Sequence, residues 1–169
     1  IQVRVKPGVE DRIRGFFPWV YKPEIIGYSK KPEKGDLVVV RDFGGKFLGY
    51  GYINPSANIS IRILSFNKEE PVNEELIRKR VFQAYEYRKR LHLDSNAFRL
   101  VHSEGDLLPG LVVDVYDEYL VVEFTTYGMN RLRGWVLSAL IDLLKPKGIY
   151  EKTSEYVSAV EGFKVEGGV

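Results

Sequence analysis

The side chains with the most chemical potential in this chain are basic and aromatic groups set close together near its start: Arg12, Arg14, Trp19 and Lys22, with Arg62 further on inside an apolar run. Guanidinium and ammonium groups neutralise phosphates, and an indole offers a face on which a base can stack. Such a set suits recognition of a nucleic acid. The same residues also make an ordinary solvated helix beside a packed Trp19. A second set comprises Glu104, Gly105, Asp106, Pro109, Gly110 and Asp114. Clustered acids can move protons, but a Gly-Asp…Pro-Gly stretch is equally a shaped connection between strands. Asn54-Pro55-Ser56 is a run of turn formers and reads the same way. The triplets Arg78-Lys79-Arg80 and Arg88-Lys89-Arg90 point to several azimuths of one helix, as a solvated face does.

Other chemistries are excluded by what the chain lacks. It has no cysteine, hence no disulfide, thiolate metal site or cysteine nucleophile. Its two histidines, His92 and His102, lie at a separation that matches no usual zinc spacing. No strand leads through a glycine-rich turn into a helix, so no nucleotide or S-adenosylmethionine fingerprint is present; Gly44-Gly45 stands between two strands. No Ser-His-Asp order or paired-carboxylate constellation appears. The longest apolar runs are strand-length and no signal peptide is evident, so the expected location is the cytoplasm. The formal net charge is +2, but it is unevenly placed: residues 1–72 carry a net +4 and residues 73–169 a net −2. A basic front half suits a polyanionic partner.

The elements that must position these groups can be read in outline. IQVRVK at 1–6 alternates as a half-buried strand does. GVEDRIRGFF at 8–17 holds a short helix with early acids and late arginines, matching the helix dipole. DLVVVRD at 36–42 and KFLGYGYI at 46–53 form a hairpin through Phe43-Gly44-Gly45. ISIRILSF at 59–66 is a further strand, with Ile59, Ile61 and Ile63 on one face. After the polar break NKEEPVN a helix is predicted over 74–92, capped by Asn73, with Ile77, Val81, Ala84, Tyr85, Arg88 and Leu91 along one side. Strands follow at 98–103, 111–116 and 119–126. An amphipathic helix over 129–144 carries Leu132, Val136, Ala139, Leu140 and Leu143 and ends at Pro146. A last strand is expected at 148–153. The chain reads as α+β, and it stops after Gly167-Gly168-Val169 like an interrupted protein.

Four stretches together resemble a known family. FFPWVYKPEI at 16–25, GYINPSANISIRILSF at 51–66, RLVHSEGDLLPGLVVDVYDEYLVVEF at 99–124 and IYEKTSEYVSAVEGF at 149–163 are similar in order and spacing to segments of the S-adenosylmethionine-dependent methyltransferases that modify large-subunit (23S) ribosomal RNA at cytosine C5. The third stretch is the most specific. Two departures stand out: Phe17 takes a position where that family often has histidine, and Asn58 shifts the serine spacing. No role of that histidine carries over.

The resemblance implies a PUA-like RNA-binding β-barrel over residues 1–70. A small α/β linking domain of strand-strand-helix-strand order over 71–169 follows. A Rossmann-like catalytic domain would be absent from this chain. Cytosine C5 methylation needs a nucleophile that adds at C6, a cysteine in that family, and this chain has none. The implied function is to bind structured ribosomal RNA and position it for a catalytic domain elsewhere in the parent protein. The RNA-binding residues implied are Arg12, Arg14, Trp19, Lys22 and Arg62. Both arginines of the first helix are taken as exposed, so that replacing them should leave the fold intact. No catalytic, cofactor-binding or metal-binding residue is assigned; S-adenosylmethionine belongs to the missing domain. Partners are ribosomal RNA and the chain's own C-terminal methyltransferase domain, with room for a homodimer. The alternative is a stand-alone PUA-type RNA-binding adapter, and a weaker one is a protein-interaction module using the Pro109-Gly110 loop.

Overall fold

The computed structural model describes residues 1–152. The chain divides between Val72 and Asn73 into two units, each with its own sheet.

In the first unit β1 (Gln2–Val5), α1 (Val9–Arg14), β2 (Trp19–Tyr21), a 3-10 turn (Lys22–Glu24), β3 (Ile25–Tyr28), β4 (Leu37–Arg41), β5 (Phe47–Ile53) and β6 (Ile59–Ser65) follow one another. The six strands pair in the order β2-β6-β5-β4-β1-β3. β1 runs parallel to β4 and the other pairs are antiparallel. The two edge strands, β2 and β3, are consecutive in sequence. Flat, six strands would hold their edges about 24 Å apart. The chain from Tyr21 to Ile25 spans about 14 Å at most. The sheet must therefore curl until its edges approach. The 3-10 turn makes the link at both ends, with the Lys22 amide donating to the Asn58 carbonyl (2.9 Å) and the Lys6 amide to the Glu24 carbonyl (2.8 Å).

The curl needs strands that approach closely. At Gly51 a Cβ would lie 2.2 Å from the Arg62 carbonyl oxygen, and at Gly49 2.8 Å from Ile63 Cγ2. Glycine therefore lets β5 and β6 cross tightly, beside the register shift at Tyr50/Gly51. The hairpin from β4 to β5 turns as its glycines suggest: Gly45 has φ +89°, the Asp42 amide donates to the Lys46 carbonyl, and the Lys46 amide donates to the Asp42 carboxylate. Val3, Val5, Val9, Ile13, Val40 and Ile61 share one buried cluster. Strand β6 departs from clean alternation. Ser60 and Leu64 are buried along with Ile61 and Ile63, while Ile59 is only half-buried, so both faces of this strand are covered over part of its length.

The second unit holds α2 (Glu74–Arg90), β7 (Ala97–His102), a 3-10 turn (Ser103–Asp106), β8 (Leu111–Tyr116), β9 (Tyr119–Phe124), α3 (Tyr127–Arg131), α4 (Arg133–Leu144) and β10 (Gly148–Lys152). The sheet order is β10-β9-β8-β7, with β10 parallel to β9. The Asn73 side chain caps α2 by accepting from the Leu76 amide (2.9 Å). Ile77, Val81 and Ala84 are buried, but Leu91 is exposed, since α2 ends before it. The single helix expected over 129–144 is two. Thr126 caps an early turn by accepting from the Met129 amide (3.2 Å), which also ends β9 at Phe124. The chain then breaks at Leu132, ahead of the helix-disfavouring Gly134. Helix α4 buries Val136, Ala139 and Leu140 and stops at Lys145, which adopts a left-handed conformation before Pro146. The part of the 149–163 stretch beyond Lys152 lies outside the described residues.

Candidate nucleic-acid interface

Strand β2 is three residues long, and its alternation decides the surface. Val20 enters the core while Trp19 and Tyr21 stay half-buried on the outer side. Trp19 pairs in register with Arg62 of β6, and the Arg62 guanidinium lies over the indole, 5.4 Å from the ring centroid. Phe17 meets Trp19 edge to face at 5.8 Å. Arg12 reaches in from α1, 4.9 Å from the Phe17 ring centre and 5.6 Å from that of Tyr21. Lys22 follows Tyr21 in the 3-10 turn and is exposed. Arg12, Trp19, Lys22 and Arg62 thus gather along one edge strand. Arg14 points elsewhere, to Asp42 in the β4–β5 hairpin (2.9 Å).

The two helix arginines are not equivalent, and here the expectation that both are dispensable for the fold is corrected. Arg12 grips both carboxylate oxygens of Glu24 at 2.8 and 2.7 Å and also donates to the Trp19 carbonyl (3.3 Å). Glu24 in turn accepts from the Tyr21 amide (2.8 Å). Arg12 therefore ties α1 to the turn that closes the sheet. Burial alone would push the Glu24 carboxyl up, but the Arg12 and Tyr21 hydrogen bonds outweigh it and hold it below the usual range. The hydrogen bond to Glu24 raises Arg12. Asp42 is also held low, first by the Lys46 amide and then by Arg14.

Phe16 stands next in sequence to the ring of Phe17, and no role is legible for it from its residue type alone. It is 72% exposed, sits in a left-handed backbone conformation (φ 66°) and meets Phe66 edge to face at 5.4 Å. A left-handed conformation is costly for a bulky residue, and here it completes the helix end: the Phe16 amide donates to the Ile13 carbonyl and the Phe17 amide to that of Arg12. Its sequence signal is Gly15, a helix stop with two aromatics behind it. Phe17, where histidine was expected, is the ring between Arg12 and Trp19.

The other candidate groups have structural partners. Asn54 is buried and its side chain accepts from the Ser56 amide (3.1 Å), making a local turn. In the second unit Arg88 pairs with both oxygens of Asp106, which also accepts from the His102 amide (2.6 Å). Arg80 donates to the Leu107 carbonyl (3.3 Å), and the Gly110 amide to the Ser103 hydroxyl (2.9 Å). Two arginines of α2 thus fasten the loop from Ser103 to Gly110, in which Ser103 and Leu107 take positive φ. Arg99 pairs across the sheet with Asp114 (2.8 and 3.2 Å). Arg78 is engaged by Asp142, Ser138 and Glu74. No cluster of three metal-ligating side chains occurs among the described residues, and none of their helices is long and apolar enough to cross a membrane.

Residues 3–66 match the family described as a PUA-like domain. Beyond it, the chain is 32% identical over 170 residues to "Ribosomal RNA large subunit methyltransferase I" of Alteromonas mediterranea, covering 99% of this chain and 43% of that protein. A protein of the same name from Tolumonas auensis is 34% identical over 90% of this chain and 39% of its own length. The chain spans about two-fifths of these relatives. Among solved structures, SMU.776, a methyltransferase candidate crystallised with SAH, is 19% identical and superimposes with a TM-score of 0.79 over 93% of this chain and 41% of its own. That likeness concerns the fold alone.

Proposed function

We propose that this chain grips structured ribosomal RNA with its PUA-like unit and, through its second unit, links that grip to a S-adenosylmethionine-dependent domain of the parent protein that methylates cytosine at C5. The observation that carries the reading is the strip along β2, where Arg62 covers Trp19 and Lys22 stands exposed beside Tyr21. Cations on such a strip neutralise phosphates and its rings accept bases. Arg14 adds charge at the hairpin, and Arg12 holds the strip in place. The rRNA methyltransferases that resemble the chain along nearly its whole length support the substrate class. The cytosine C5 assignment rests on the resemblance of the 99–124 stretch alone. Addition at C6 makes C5 nucleophilic towards the methyl sulfonium, and no cysteine is present here to begin it.

The test is binding to a large-subunit rRNA fragment at several salt concentrations. Replacing Lys22 and Arg62 with alanine should weaken binding and flatten the logarithmic salt slope by about 1.5 units, as expected for two lost phosphate contacts. Replacing Arg78 and Lys79 should leave the slope nearly unchanged. If the second pair carries the slope and the first does not, the reader is α2 and the proposal fails.

The chain by itself should take up no S-adenosylmethionine. Two clefts along α2, of about 260 and 250 Å3, are lined by Arg78, Phe82 and Asp142 and by Tyr85, Lys89 and His92. Neither contains the glycine-rich strand-to-helix turn that lets backbone approach such a cofactor, so these residues do not fit it. Calorimetric titration should be flat; saturable micromolar binding would sink this part of the reading.

A further inference from the structure

The outer face of the second unit's sheet plays no part in the reading above, and strand register fixes what it presents. Tyr116 of β8 and Tyr119 of β9 are direct cross-strand partners. Tyr150 of β10 pairs with Val121, two residues along the same face from Tyr119. Their neighbours Val115, Leu120 and Glu151 are buried, so the two-residue period turns the three tyrosines outward. They are 52%, 56% and 50% exposed. The Tyr119 ring lies beside Gly148: a Cβ there would come within 3.3 Å of its Cδ1 and 3.5 Å of its Cε1. The missing side chain leaves room for the ring beside β10.

Charge is arranged around these rings. On the same face Arg99 and His102 stand on β7 at one margin, and Lys152 on β10 at the other. The acids lie on the two central strands. Asp114 is held by Arg99, and Glu123 is opposite Lys152 in register. The face is neutral in sum, with aromatic groups inside and cations at its margins. Exposed aromatic rings grouped on one face suit bases, because every base has a π-face. Cations outside the rings suit the phosphates that such bases carry.

We propose that this face is a second RNA contact, a stacking platform for two or three unpaired nucleotides, with Tyr116, Tyr119 and Tyr150 under the bases and Arg99 and Lys152 beside the phosphates. It rests on the reading that the chain binds RNA and adds the kind of RNA it takes: single-stranded segments next to the structured part. Because acids balance the cations, stacking supplies the affinity here. The salt dependence is therefore shallower than that of the strip along β2.

The experiment uses the full 169-residue chain with two probes, an adenosine-rich single-stranded RNA of about ten nucleotides, within the range of single-strand site sizes, and the structured rRNA fragment. Replacing Tyr116 and Tyr119 with alanine should weaken binding of the single strand on the order of tenfold or more. Replacing both with phenylalanine should preserve it, since the ring and not the hydroxyl does the stacking. Thermal melts verify folding, and Tyr150→Ala on the edge strand is a second variant held to the same outcome. Unchanged affinity in the alanine variants, or an equal loss with phenylalanine, overturns the proposal. If the wild-type chain binds neither probe, the proposed function falls and this platform with it. If the structured fragment binds with the slope carried by Lys22 and Arg62 while the tyrosines are silent, only the platform falls, and the face is a protein contact.

Discussion

Arg12 and Arg14 are two residues apart, yet they differ in kind. Arg12 is held by two hydrogen bonds to Glu24 and one to the Trp19 carbonyl, whereas Arg14 makes one contact with Asp42 and is half exposed. Replacing Arg12 with alanine should cost about 1–2 kcal/mol after allowance for solvent screening, visible as a lowered Tm. Arg14→Ala should move the Tm far less. The same geometry sets a pH dependence. Glu24 and Asp42 are both held below the ordinary carboxylate range. Their stabilising effect is therefore present above a pH of about 4, where the unfolded carboxyls ionise, and is lost as the pH falls through the lower folded values. Denaturant melts between pH 6 and 2.5 should show this fall, and Glu24→Gln should flatten part of it. An acid limb unaltered by that change would contradict the assignment. The partnership of Arg12 with Glu24 was not legible in the sequence, because nothing in a spacing of twelve residues announces an ion pair across a turn. The basic and aromatic types around β2 were legible, since Trp19 and Arg62 fall inside stretches that resemble a family.

Elements formed where periodicity is long enough to be read and escaped notice where it is short. Helix α2 has seventeen residues and an asparagine cap, and its start is visible in Asn73-Glu74-Glu75. Strands β2 and β3 have three and four residues, too few for alternation to show, and they are the edges that the curled sheet brings together. The break at Leu132 also lay beyond reading, because the apolar stripe passes through it while Thr126 starts α3 early. Strand β5 offers a direct test of the curl. A methyl group at position 51 would meet the Arg62 carbonyl oxygen at 2.2 Å, and backbone cannot swing aside as a side chain does. Gly51→Ala should cost about 3 kcal/mol, at the upper end of overpacking penalties, measurable by denaturant unfolding. Gly44→Ala meets only an ordinary contact, 3.5 Å from Asp42 Oδ1, and should be nearly silent. Equal effects would refute the close-approach explanation.

At the scale of the whole molecule, residues 1–72 hold a sheet and a buried cluster of their own. A fragment ending at Val72 should therefore unfold cooperatively by itself, with coincident transitions in circular dichroism and tryptophan fluorescence from Trp19. A broad, non-cooperative melt would show that it depends on the rest of the chain. The polar break at 67–73 is visible in the composition and the short strands before it suggest a barrel-like front, whereas which strands pair to curl the sheet is readable from neither. That pairing has a consequence during synthesis. Strand β1 is made before both of its neighbours, sits inside the sheet between β3 and β4, and its parallel partner ends at Arg41. At roughly 5–20 residues per second, β1 waits about 2–7 seconds with one edge unmatched. During that interval it offers an open edge to any neighbouring nascent chain, and the alternating charges Arg4 and Lys6 stand where they discourage such a match.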